Sequence, residues 1–113
     1  MKTIIQAIDF KARKTLTDFV EESMVKLEPF SDRIVDSKVT LRLNKSDQKE
    51  NKICEIRLAI PGHDFFSSKA SETFEEAVLK AIDAIKHQMV RTKDEKIHNV
   101  NRSTVSFESE DEI

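Results

Sequence analysis

The sequence predicts an α+β domain: a two-layer sandwich of order βαβββα, with one four-stranded sheet and two helices packed on the same sheet face. Three observations lead there. Four short segments carry β-type patterning, two longer ones repeat apolar residues at helical spacing, and both helical stripes need an apolar surface that only the sheet offers. At 113 residues the chain is one domain by length, enough for a single modest core. Gly occurs once and Pro twice, which fits a compact fold with few irregular loops.

The segment from Thr3 to Ile8, TIIQAI, is short, β-branched and bounded by polar residues, as a first strand should be. From about Arg13 to Glu28 the apolar residues Leu16, Phe19, Val20, Met24 and Leu27 fall on one stripe of a helix, which Pro29 is expected to end. Ile34 to Leu43 reads as a second strand, alternating Val39, Leu41 and Leu43 with Lys38, Thr40 and Arg42. After the polar turn NKSDQKEN, Cys54, Ile56, Leu58 and Ile60 alternate with Ile53, Glu55, Arg57 and Ala59 in a third. Pro61 and Gly62 mark a tight turn into a fourth strand, HDFFSSKAS. Thr73 to Arg91 returns to helical spacing through Phe74, Ala77, Val78, Ala81, Ile82, Ile85 and Met89, with Ser71 as its start signal. The wet face of the sheet is expected to show Lys38, Thr40, Arg42, Glu55, Arg57, Ser67 and Lys69.

Charge divides the chain in two. The formal charge of -2 argues against a nucleic-acid partner, but residues 1–96 hold 18 basic against 17 acidic residues, while 97–113 set Arg102 against Glu108, Glu110, Asp111 and Glu112. A domain over 1–96 followed by an acidic, flexible tail over 97–113 is the expected organisation, with Val105 and Phe107 as tail residues that could still dock. A lone cysteine, Cys54, forms no internal disulfide, the N-terminus lacks a signal-peptide stretch, and no run is long enough to span a bilayer. A reducing cytoplasm follows as the expectation.

At KLEPFSDRI, Lys26 to Ile34, the sequence resembles the ribosome hibernation-promoting factor and protein Y family, also called sigma-54 modulation proteins. The likeness continues through IRLAIPGHDFFSSKASETFEEAV, in the family's order of strand, glycine hairpin, strand and helix start, and resumes at AIDAIKHQMVRTKDEK. Ser31, Ala84 and His87 depart from the family's aromatic, Lys and Arg. The resemblance covers about residues 1 to 96 and implies a fold related in layout to double-stranded RNA-binding domains. It further implies a seat in the decoding channel of the small ribosomal subunit, overlapping transfer RNA and messenger RNA, so that translation is blocked and idle ribosomes are protected in stationary phase or stress. Long members carry a further C-terminal domain that pairs ribosomes. This chain resembles the short form, expected to be a monomer off the ribosome.

RNA phosphates are met by Lys and Arg on one rigid face. The end of the second helix supplies Lys80, Lys86, His87, Arg91, Lys93 and Lys96, and the resemblance maps the family's basic positions onto His87, Arg91 and Lys93. Charge alone favours a plainer account, in which these cations complement the helix macrodipole at about 0.3 to 1 kcal/mol each. A second cluster, Lys11, Arg13 and Lys14, opens the first helix, where positive charge opposes the dipole; a displaced helix start at Thr15 explains it nearly as well. Lys26 and Arg33 come from the family motif, although Arg33 can equally pair with Asp32 or Glu28. The Phe residues are assigned to the core, except that Phe65 or Phe66 must face outward.

An enzyme finds little footing. His63, His87 and His98 lack metal-ligand spacing, Cys54 falls on the buried side of its strand, and no glycine-rich phosphate loop is present, so neither catalytic residues nor a cofactor, metal or small-molecule substrate is expected. The competing class is a protein-binding regulator of the sigma-factor-modulating type, acting through the open sheet face or the acidic tail.

Overall fold

A computed structural model describes residues 2–30, 33–44 and 49–97, the last six through the backbone only. The elements follow the expected order: β1 (Thr3–Ile8), α1 (Lys14–Val25), a 3-10 turn (Glu28–Phe30), β2 (Asp36–Leu43), β3 (Lys52–Ile60), β4 (His63–Ser71) and α2 (Phe74–Ile97). The expected tail, with Val105 and Phe107, lies outside the described residues beyond Ile97, as does Asp32.

The sheet runs β1-β2-β3-β4, with β1 parallel to β2 and the other pairs antiparallel. A parallel pair needs a crossover, and α1 is that crossover. Both helices lie on one face. Their stripes meet the inward rows of the sheet in a single core that includes Val20, Met24, Leu41, Ile56, Leu58 and Ile85, all fully buried. Each such side chain contributes roughly 1.5 to 3 kcal/mol by leaving water.

Polar latches fix the layers. Ser37, buried at the start of β2, donates its hydroxyl to the Lys2 carbonyl at 3.0 Å and shares a 2.8 Å bond with Thr3 Oγ1, closing the β1–β2 pair. Gly62 has φ +80°, the positive value that a turn with Pro at its first central position asks of its second, and Ile60 pairs with His63 across it.

Four expectations change. Helix α1 ends at Val25, not Glu28, because Pro29 offers no N–H to the carbonyl four residues back and its ring crowds that carbonyl. The chain tightens instead through i to i+3 bonds from Leu27 to Met24 and from Phe30 to Leu27. Helix α2 is capped not by Ser71, the last residue of β4, but by Thr73, whose Oγ1 accepts the Glu76 N–H at 3.1 Å. It also continues six residues past Arg91. Finally, Ser67 and Lys69 do not face the open side: in β4 the inward row is Phe65, Ser67, Lys69 and Ser71, since Lys69 pairs with buried Cys54 and Ser67 is itself buried. Phe66 is the outward aromatic, half-exposed.

Candidate nucleic-acid interface

The two helices run in the same direction. Phe10, just before α1, stacks on Phe74 at the start of α2 with ring centroids 4.6 Å apart, whereas Phe30, just after α1, lies under Lys86 Nζ at 5.7 Å. The helix layer therefore has an N-terminal pole and a C-terminal pole, and α1 alone separates Lys14 from Lys26 by roughly 18 Å.

This polarity sorts the candidate cations. Lys11, Arg13 and Lys14 stand exposed at the N-terminal pole. Arg13 occupies the N-cap position of α1 without any side-chain cap, and the first turn holds no acid, so these charges oppose the dipole as expected. Lys14 is not free to meet a phosphate unaided: its Nζ lies 2.9 Å from Asp18, whose hydrogen bond and charge hold the ammonium above its ordinary pKa. Glu75 and Glu76 share this pole in the first turn of α2.

Lys26 and Arg33 follow the end of α1, where the negative dipole end favours cations, and Lys86 joins them over Phe30; Lys86, His87 and Arg91 themselves lie within α2, which continues to Ile97. Lys26 sits exposed at the C-cap of α1, and Arg33 follows the 3-10 turn. The α2 cations do not form one patch. Lys80, His87 and Arg91 lie on one flank, exposed, while Lys86, about 100° round the helix from His87, is half-buried against Phe30 on the α1 side. Lys93 follows Lys86 by seven residues; the side chains of Lys93 and Lys96 are outside the described ones. His87 Nε2 approaches Asp83 only to 4.0 Å, both being well exposed, so the contact restrains His87 little.

Three tethers hold α2 along the β4 edge of the sheet. The Ser71 hydroxyl bonds the Glu76 carboxylate, the Ser67 hydroxyl donates to the Ala81 carbonyl at 2.8 Å, and the Gln88 carboxamide grips the backbone of Phe66 at both ends, donating to its carbonyl at 2.8 Å and accepting its N–H at 3.3 Å. Lys69, between the first two tethers, is exposed on the helix-side row of β4. Sequence reasoning placed Lys69 on the wrong face; its pairing with Cys54 is the signal that corrects this.

The open sheet face carries the row Ile4, Lys38, Arg57 and Phe66. The Arg57 guanidinium lies 5.5 Å from the Phe66 ring centroid and 3.6 Å from Asp64, while Arg42 pairs with Glu55 at 3.2 Å. These ion pairs leave the face nearly neutral. Cys54 belongs to the core, where burial first and Glu55 second push its thiol from 9.0 up to about 12, well away from a nucleophile's range. No group of His, Cys, Asp or Glu that could hold a metal ion occurs among the described residues, and no helix there is long and apolar enough to cross a membrane.

The family described as sigma 54 modulation protein / S30EA ribosomal protein matches residues 3–97. A ribosome hibernation promotion factor of Deinococcus radiodurans is 26% identical over 80 residues, covering 69% of this chain and 41% of the relative, so the chain spans about two fifths of that protein's length. Among solved structures, a ribosomal subunit interface protein from Coxiella burnetii superposes with TM-score 0.75 at 17% identity, covering 83% of this chain and 99% of its own. The N-terminal domain of Thermus thermophilus Protein Y gives 0.69 at 20% identity, with 80% and 99% covered. Both share the βαβββα fold.

Proposed function

The chain belongs to the sigma 54 modulation protein / S30EA ribosomal protein family, and from that premise we propose that it is a cytoplasmic ribosome hibernation factor. It seats its helix layer on RNA in the decoding channel of the small subunit and excludes transfer RNA and messenger RNA by occupancy. The observation that carries this reading is the family match across 3–97, which spans every described strand and helix. The C-terminal pole supports it physically. Lys26 and Arg33 follow the end of α1, and Lys86 and Arg91 project from the second half of α2; the two helices are parallel and fixed on one sheet, a rigid arrangement that loses little entropy on meeting phosphates.

The action is steric and needs no reaction. A bound domain prevents initiation and elongation for as long as it stays and protects the idle ribosome meanwhile, and off the ribosome the protein is a monomer. Co-sedimentation with purified small subunits through a sucrose gradient tests this: the protein travels with the subunit at low salt and is released as salt rises, because each phosphate contact returns counterions. Protein remaining at the top of the gradient at low salt refutes it. The alternative, a protein-binding regulator of the sigma-factor-modulating type using the open sheet face, draws support from Ile4 and Phe66, 49% and 47% exposed in one cross-strand row. It predicts binding to a protein partner that survives high salt.

A further inference from the structure

A lysine can be held in place in two ways, and this domain uses both. At Lys14 the holder is a carboxylate: Asp18 lies 2.9 Å from Nζ and offsets the charge that a phosphate would meet. At Lys86 the holder is a ring. Its Nζ lies 5.7 Å from the Phe30 centroid, and Lys86 makes no ion pair among the described residues, so the ammonium is held without being neutralised. We propose that Phe30 is a positioning residue of the RNA site, holding the Lys86 ammonium in place for a phosphate while leaving its charge intact.

Both partners are anchored by the core. Pro29 cannot continue α1, and the chain turns through the bonds from Leu27 to Met24 and from Phe30 to Leu27, at 3.0 and 3.1 Å, with Leu27 fully buried as the pivot. Phe30 then packs half-buried on the edge of the core. On α2, Ile85 is fully buried, and Lys86 follows it by about 100° of rotation, which carries the lysine to the rim of the same core on the α1 side. Ring and ammonium meet because two buried residues fix the turn and the helix. The ring face covers one side of the ammonium, and its remaining N–H groups can turn to phosphate oxygens. A free lysine loses rotamer freedom on binding, whereas Lys86 has given up part of it on folding. Lys26, Lys80 and Arg91, exposed and without a ring contact among the described residues, lack that advantage. The phosphate contact rests on the ribosome reading; the seating of Lys86 on the ring does not.

The test compares the full chain with Phe30→Leu, which keeps an apolar side chain but no ring, and with Phe30→Trp, which keeps a ring, each checked by thermal melt. In proton NMR the Lys86 side-chain methylenes are expected upfield of those of Lys80, shifted by the ring current; the shift vanishes in Phe30→Leu and persists in Phe30→Trp. Sedimentation with purified small subunits at fixed salt is expected to show roughly three- to tenfold weaker binding for Phe30→Leu, the effect of one side chain no longer held, and near-parental binding for Phe30→Trp. In a Lys86→Gln background, Phe30→Leu should weaken binding no further. Three results would each overturn the proposal: Lys86 methylenes at ordinary lysine positions in the parent, undiminished binding of Phe30→Leu, or an equal loss in the Lys86→Gln background. The last would show Phe30 acting through the fold alone. A parent chain that does not sediment with the subunit sinks the ribosome reading and the phosphate role with it, and the ring-current shift then tells that failure apart from a lysine that was never seated.

Discussion

Replacing Lys26, Lys86 and Arg91 together by Gln removes three cations from the C-terminal pole without touching the core. Lys26 and Arg91 are exposed and make no ion pair among the described residues. Lys86 gives up only its position over the Phe30 ring, a contact of roughly 0.5 to 1 kcal/mol, which lowers the melting midpoint by no more than about 8 °C. Binding responds far more. Each phosphate contact contributes about 0.7 to 0.9 to the slope of log K against log salt, so three lost contacts flatten the slope by roughly 2 to 3 and weaken small-subunit binding by about 10²-fold near 0.15 M salt. Co-sedimentation across a salt series reads the slope, and a thermal melt reads the fold. Neutralising Lys11 and Arg13 at the opposite pole shows which end of the helix layer faces RNA. An unchanged slope in the triple variant, with its fold intact, refutes the assignment of RNA binding to the C-terminal pole.

Gln88→Ala releases both backbone groups of Phe66 at an edge strand; a loss of about 1 to 2 kcal/mol in urea unfolding is expected, with concentration-dependent self-association by light scattering as the unguarded edge finds partners. Arg13→Asp supplies α1 with the cap and first-turn charge it lacks and should add about 1 kcal/mol of stability by the same urea measurement, while weakening RNA binding if the N-terminal pole takes part. Burial keeps Cys54 protonated until about 12, whereas the unfolded thiol ionises from about 9, so between those values the unfolded state holds fewer protons and stability falls as pH rises. Denaturation midpoints measured from pH 8 to 11 should decline faster in the parent than in Cys54→Ala, and equal slopes would contradict a buried, protonated thiol.

Local chemistry made most of the elements legible. The bounds of β1, the alternation through Val39 and Leu41, and the turn at Pro61 and Gly62 are decided by neighbours in the chain, and all three are where the residues said they would be. The misjudged details depend on partners further off. HDFFSSKAS places two aromatics side by side and so has no readable parity; only pairing of Lys69 with Cys54 turns Ser67 and Lys69 toward the helices. The extension of α2 to Ile97 lacks an apolar stripe and follows instead from good helix formers among residues 92–97.

For the candidate site the division is sharper. The sequence by itself determined that a nearly neutral domain carries a basic helix end, because composition and order are local properties, and the ordered motifs over 1–96 pointed to the family that residues 3–97 match. Only the tertiary structure decided how those cations are shared out. With 100° between successive residues, Lys86 turns toward Phe30, His87 to solvent and Gln88 toward β4, and parallel packing of α1 and α2 sends Lys11, Arg13 and Lys14 to one pole and Lys26 and Arg33 to the other. Helix direction and rotation are set by which stripe the sheet buries, and a charge acts through the space around it rather than through its place in the chain.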